Sequence, residues 1–192
     1  DGIMVMTCSL KTKVNTLQGI TINFIHRLAK VNVTCSVATG VNFSPARLQL
    51  RNVPKSLVLE KTSAIVPEAS TENFLNYLSL TENIANGYTW YMPENIRGMG
   101  TAADAKNKTA STAPSGQGDY CTYVELSGLY QEGGASKLVS FKIYLGANNT
   151  TDYNVEANRV YNVNISVVGV SETDGRLTIE TLPASKTPAN CY

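Results

Sequence analysis

Tyr161-Asn162-Val163-Asn164-Ile165-Ser166-Val167 alternates large apolar with small polar side chains without a break. Successive side chains of an extended strand point to opposite faces. This period of two therefore puts Tyr161, Val163, Ile165 and Val167 on one buried face and Asn162, Asn164 and Ser166 in water. The same period recurs upstream. Val139, Phe141, Ile143 and Leu145 alternate with Ser140, Lys142 and Tyr144, while Cys121, Tyr123 and Glu125 face away from Tyr120, Thr122, Val124 and Leu126. Tyr88, Trp90 and Met92 form another such stretch, ended by Pro93, which cannot donate to a ladder. Ala46, Leu48 and Leu50 form one closed by Asn52-Val53-Pro54, and Leu57 and Leu59 mark a short one after it. Ala29, Val31, Val33, Cys35 and Val37 alternate on one parity, and Ile20, Ile22 and Phe24 before them on the other. The parity change between Leu28 and Ala29 predicts either a bulge or a strand that passes from one sheet to another.

Turn signals separate these runs. Gly133-Gly134 marks a turn, and Asp174-Gly175 predicts a tight hairpin with Leu177 and Ile179 on the returning strand. Phe74, Leu75 and Leu78 have helix-like spacing, but the segment from Ser70 to Leu80 is short enough to be a single turn. Many short strands without a sustained helical period predict an all-β sandwich.

Composition agrees. Apolar residues make up 43% of the 192, enough to fill a core, whereas charged residues are only 16%, well below the roughly 25% of average globular proteins. Neutral polar residues take their place, with 20 Thr, 18 Asn and 10 Tyr. Thr and Tyr favour strands and Asn favours turns. This balance suits an exported β-protein better than a cytosolic enzyme. A net charge of +1 with no basic stripe gives no basis for nucleic-acid binding. No apolar run approaches the roughly 20 residues needed to span a bilayer. The sequence starts on Asp1 with no signal peptide, so it is expected to be a piece of a longer protein.

One segment breaks the pattern. From Arg97 to Asp119 the chain is rich in Gly, Ala, Ser, Thr, Asn and Lys and has almost no large apolar residue, which predicts a long mobile loop (97–119). Residues 1–183 are expected to form one domain. Beyond it, Pro183 to Pro188 reads as a linker, and 184–192 as the way into a further domain to which Cys191 would belong.

Candidate chemistry is sparse. His26 is the sole histidine, and it continues the parity of Ile20, Ile22 and Phe24, which predicts a buried or half-buried structural role, bonded to a neighbouring backbone. No second histidine or nearby cysteine completes a metal site or a dyad, and no GxSxG elbow is present. Cys8, Cys35, Cys121 and Cys191 lack zinc-like spacing and allow three full disulfide pairings, with Cys35 and Cys121 expected as small core residues. Glu94, Asp119, Glu125, Asp152 and Glu156 fall at strand ends or corners, where solvation explains them as well as a glycosidase pair would. Gly98, Gly100, Gly116 and Gly118 form neither a P-loop nor a dinucleotide fingerprint, and Asp104, Asn107 and Asp119 lack the calcium-loop order. Trp90 and the tyrosines could stack on a sugar, but the alternation of Tyr88, Trp90 and Met92 predicts a core face. Sequons at Asn32, Asn149 and Asn164 arise by chance in so Asn- and Thr-rich a chain. No catalytic, cofactor-binding or metal-binding residue is assigned, and the expectation is that the chain is not an enzyme.

Several blocks, in order along the chain, resemble the fimbrillin family, the Mfa-like and related surface proteins of Gram-negative anaerobes. They are Asp1-Gly2-Ile3-Met4-Val5-Met6, then Ile22-Asn23-Phe24-Ile25-His26-Arg27-Leu28-Ala29-Lys30-Val31, Tyr91-Met92-Pro93-Glu94-Asn95 with Gly98, and Thr122-Tyr123-Val124-Glu125-Leu126. Tyr144-Leu145-Gly146, Asn148 to Val155 and Asn158-Arg159-Val160-Tyr161-Asn162-Val163 match best. The resemblance implies a transthyretin-like, Greek-key β-sandwich. It also implies a cell-surface, outer-membrane location and a role as structural or adhesive fimbrial subunit (pilin, anchor or tip). Other fimbrial subunits would be its partners, joined by strand addition, with surface glycans or proteins as further ligands. A lipid anchor would lie in sequence before Asp1, since no lipobox cysteine is present. The alternative expectation is a carbohydrate-binding surface lipoprotein, with a glycoside hydrolase a distant third.

Overall fold

The computed structural model describes residues 5–8, 21–57, 59, 68–171 and 173–181. Its strands are β1 (Met6–Thr7), β2 (Ile25–His26), β3 (Leu28–Val37), β4 (Phe43–Arg51), β5 (Val53–Pro54) and β6 (Phe74–Leu75), followed by β7 (Tyr88–Pro93), β8 (Tyr123–Glu132), β9 (Ala135–Tyr144), β10 (Val160–Val167) and β11 (Leu177–Thr181). The only helical elements among the described residues are single 3₁₀ turns of three residues. The fold is an all-β sandwich, as its alternation predicts.

One sheet has the order β10-β3-β7 and the other β11-β9-β8-β4. All pairs of the four-stranded sheet are antiparallel, whereas β10 runs parallel to β3. Between the sheets lies the main core. Val31, Val33, Trp90, Met92, Tyr161, Ile165 and Val167 come from one side, and Leu48, Leu50, Val124, Leu126 and Val139 from the other. The β8–β9 hairpin closes on Gly133 and Gly134 at φ +58° and +81°, conformations that glycine adopts without a Cβ penalty.

The parity change near Leu28 has its cause here. β2 pairs with β1, β3 joins the three-stranded sheet, and Arg27 lies between them, donating its backbone N–H to Val5 O at 2.9 Å. Alternation fails to place other residues. Ile22 and Phe24 do not face a core: they are 53% and 62% exposed, and residues 21–24 belong to no strand. Ala46 is exposed because the β4–β8 register shifts between Pro45 and Arg47. The expected strand at Leu57 and Leu59 is replaced by β5, set off by Asn52 at φ +55°, and Leu59 is half exposed. Asp174-Gly175 is a turn but not a hairpin. It carries the chain from the sheet holding β10 to the one holding β11, which pairs with β9. The segment with helix-like spacing is one 3₁₀ turn, Thr71–Asn73, with Phe74 buried and Leu78 almost fully exposed.

The tract 97–119, expected to be mobile for want of apolar anchors, is held by polar ones. Asn95, with no exposed surface, donates from Nδ2 to Tyr120 O and Thr122 Oγ1, both at 2.8 Å. Its Oδ1 accepts from Arg97 Nε at 2.6 Å, and Arg97 also donates to Gln117 Oε1 at 2.8 Å. Lys108 is buried and its Nζ donates to Asn148 O (2.8 Å) and Leu145 O (3.2 Å). The tract lies over a second, smaller cluster made of Cys121, Tyr123, Tyr144 and Tyr153, with Ala110 and Ala113 packed against it. Gly100 lets the backbone of Thr112 and the Tyr153 ring come closer than a Cβ would permit. Native-state trypsin should therefore spare the bonds after Arg97 and Lys108, although Lys106 nearby is exposed. Cleavage after Arg97 or Lys108 as fast as in the heat-unfolded chain would show that the tract is not held.

The expected linker at 184–192, Cys191 with it, and the opening block Asp1-Gly2-Ile3-Met4 lie outside the described residues. Cys8, Cys35 and Cys121 are free thiols, the last two buried.

Candidate functional site

Among the described residues β10 forms an open edge. β10 pairs with β3 on one side and with no other strand among the described residues. Lys30 N donates to Arg159 O and Ala38 N to Val167 O, both at 2.9 Å. Backbone groups alternate in direction along a strand, so those of Tyr161, Val163 and Ile165 also face β3. The N–H and C=O groups of Val160, Asn162, Asn164 and Ser166 face the open side. Such a row is a template for a further strand.

Beside this edge runs a cleft of about 800 Å³, lined along the whole of β10 and, across from it, by Phe141, Ile143, Tyr144 and Leu145. It exists because β11 is short. β11 covers β9 only from Lys137 to Phe141, and beyond that Arg176 O accepts the single bond from Lys142 N at 2.9 Å. At the rim, Arg176 is held by Asp174 through Nε–Oδ1 and Nη2–Oδ2 bonds of 2.9 and 2.6 Å. This bond to Arg176 holds the Asp174 carboxyl below its ordinary value, against the opposing effect of burial. Lys108 lines one end, where burial holds its ammonium down to about 8 while Asp152 pulls the other way. The cleft thus combines an apolar wall, a row of backbone groups that face no strand among the described residues, and charges that already have partners.

The outer face of the same sheet is a polar ladder. Thr89 Oγ1 donates to Asn32 Oδ1 (2.9 Å) and Asn32 Nδ2 to Asn162 Oδ1 (2.9 Å), while Thr34 Oγ1 donates to Asn164 Oδ1 (2.8 Å). Two of the sequon asparagines, Asn32 and Asn164, stand in this ladder. Each row ends at the open edge of β10.

Residues 90–165 match the model of a family described as Domain of unknown function (DUF4906). The match runs from Trp90 in β7 through the anchored tract and the β8–β9 hairpin to Ile165 in β10, so it contains most of the open edge and one wall of the cleft. No curated protein matches the chain.

The other candidate residues are dispersed. His26 is half-buried in β2, away from the cleft lining. Trp90 is buried in the main core, with the half-exposed Tyr88 ring tilted against it at 4.9 Å between centroids, so the indole presents no face to a sugar. Glu125 lies between Arg47 (3.5 Å) and Arg51 (3.6 Å) and accepts from Ser140. Asp152 caps its own corner by accepting from Asn154 N at 2.7 Å, and Glu156 pairs with Arg159. Asp104 accepts from Asn107 N and Asp119 is exposed. Gly98, Gly100, Gly116 and Gly118 shape the anchored tract. Among the described residues no three His, Cys, Asp or Glu side chains are grouped to hold a metal ion. Sequence reasoning missed Asn95 and Lys108 as buried anchors, and it missed that β10 is an edge.

Proposed function

We propose that this chain is a structural or adhesive subunit of a cell-surface fimbria or fimbria-associated assembly, and that it accepts an extended strand of a neighbouring subunit along β10. The observation that carries this reading is the coincidence of a strand edge, unpaired among the described residues, with a cleft running its full length. An incoming strand would satisfy the backbone groups of Val160, Asn162, Asn164 and Ser166 and lay alternate side chains against Phe141, Ile143 and Leu145. The fimbrillin-like blocks support the same reading, since the block from Asn158 to Val163 contains the first half of this edge. An outer-membrane, surface-exposed location follows from the same resemblance. The alternative of a sugar-binding module loses its aromatic platform with Trp90 in the core.

Proline at position 164 tests the reading. Asn164→Pro removes an N–H that faces the open side and puts a ring in the path of the added strand. Asn164→Ala loses the same bond to Thr34 but keeps the backbone, and serves as control. Subunit association should persist in Asn164→Ala and fall by an order of magnitude or more in Asn164→Pro, both having monomer melts near the parent's. Equal association of a folded Asn164→Pro would remove β10 from the assembly.

A further inference from the structure

We infer that the outer face of the four-stranded sheet holds a site for a carboxylate with a hydroxyl beside it, as in an acidic sugar. The site lies on the sheet that does not contain β10, and it stands apart from the strand-acceptor reading. Register sets Gln49 of β4, Glu125 of β8 and Lys142 of β9 side by side. Their neighbours Leu48, Leu50, Val124 and Leu126 enter the core, so these three point away from it. Arg47 and Arg51 flank Gln49 on the same face of β4. Three cations thus share this patch with one carboxylate.

Glu125 is only 7% exposed. Ser140 Oγ donates to its Oε1 at 3.2 Å, whereas its sealed Oε2 makes no hydrogen bond among the described residues. Arg51 Nε, 3.6 Å from that oxygen, is likewise sealed and without a hydrogen bond. Charge attraction alone links the two, and each bears a desolvation cost that a hydrogen bond would offset. A hydroxyl group satisfies both, since it accepts from Nε and donates to Oε2 at once. Arg51 is held in place, because its Nη1 donates to Gln49 Oε1 at 2.9 Å and Gln49 Nε2 donates to Tyr77 O at 2.6 Å. Arg47 is the movable cover: its side chain is 44% exposed and meets Oε2 only as an ion pair at 3.5 Å. Swung outward, it opens Oε2 and Nε to a ligand and keeps its own charge at the rim.

The remaining charge decides what carries that hydroxyl. Arg47, Arg51 and Lys142 against Glu125 leave an excess of two positive charges among these four side chains, which selects an anion. Arg47 offers the planar fork that takes a carboxylate in two parallel bonds. Beside it in one row stand Ser127, Ser140 and Thr178, which add hydroxyls and no large apolar side chain. A protein partner would want an apolar centre, and this row has none. Recognition through charge and hydroxyl needs no stacked ring, so the burial of Trp90 does not bear on it.

Titration of the full chain with polygalacturonate tests this, against polyglutamate (charge without hydroxyls) and dextran (hydroxyls without charge). The parent should bind polygalacturonate about tenfold or more tightly than polyglutamate of equal charge, and dextran not measurably. Excess monomeric galacturonate should compete with the polymer. Arg47→Gln should weaken binding by about tenfold, with a melt near the parent's. Glu125→Gln separates the site from a merely positive surface. With Ser140 bonded to the amide oxygen, the NH₂ takes the place of Oε2 and cannot accept, so binding should weaken. On a merely positive surface, removing this negative charge would strengthen it. Should Glu125→Gln not fold, Arg47→Gln and the polyglutamate comparison decide. No binding of polygalacturonate, equal binding of polyglutamate, a monomer that does not compete, unchanged binding in Arg47→Gln, or unchanged or tighter binding in a folded Glu125→Gln each overturns the proposal.

Discussion

Asn95→Ala should be the most damaging single substitution outside the apolar core, lowering stability by roughly 3–5 kcal/mol. Asn95 is fully buried and stands where four segments meet. Its Nδ2 reaches Tyr120 O and Thr122 Oγ1, and its Oδ1 takes the Arg97 Nε. Its backbone exchanges bonds with Val155 in both directions, at 2.7 and 2.8 Å. Truncation leaves a buried guanidinium N–H without its acceptor and a buried carbonyl without its donor, and a buried polar group without a partner bears the full desolvation cost. For a chain of this size such a loss corresponds to a fall in Tm of about 10 °C. Gln117→Ala removes only the partly buried end of the same network and should cost about 1 kcal/mol. Thermal melts of the two variants check the ordering. An Asn95→Ala melt within a degree or two of Gln117→Ala would mean that the knot does not fasten the 97–119 tract.

Stability should also fall steeply between about pH 10.5 and pH 12. Burial pushes the Cys121 thiol up to about 12 from an ordinary value of 9.0, against the pull of Arg97 and Lys108. Burial likewise raises the Tyr144 phenol above its ordinary 10.0. For both groups the unfolded chain loses its proton first. Their contribution is therefore fully present below the ordinary values and is lost as pH rises toward the folded ones. A shift of the size shown by Cys121 corresponds to about 4 kcal/mol. Lys108 acts in the opposite sense. Its folded value of about 8 lies below the ordinary 10.5, so charging it costs stability below pH 8 and that cost disappears by pH 10.5. The two effects oppose each other from pH 9 to 10.5, so the steep loss belongs above that window. Denaturant titrations at pH 8, 10 and 11.5 test this in the parent and in Cys121→Ala, which should lose much less at the top of the range. An equal alkaline loss in both would remove Cys121 from the account.

Most strands were legible in the sequence, and the site was only half so. Alternation in Tyr161–Val167, Val31–Cys35 and Trp90–Met92 gave the right faces, because each strand has one side on a single continuous core. It could not report neighbours: nothing in the pattern of β10 distinguishes an edge from a centre, since both have one apolar face. Ile22 and Phe24 show the converse. Their alternation finds no sheet among the described residues, because parity sets which side chains share a face and does not supply a partner strand. The anchors of the 97–119 tract were not legible, because the entropy argument weighs only apolar ones. Its anchors are Asn95, Arg97, Lys108 and close backbone approaches at Gly100 and Gly118, which composition does not display.

Amide hydrogen exchange along β10 distinguishes strand addition at this edge from assembly through any other surface. In the monomer, the N–H groups of Asn162, Asn164 and Ser166 should exchange quickly, because they face the open side, whereas those of Val163 and Ile165 are held by β3 and should be slow. In the assembled form the fast set should slow by at least a hundredfold and the slow set should change little. Unchanged fast exchange at Asn162, Asn164 and Ser166 in assembled protein would contradict strand addition at this edge.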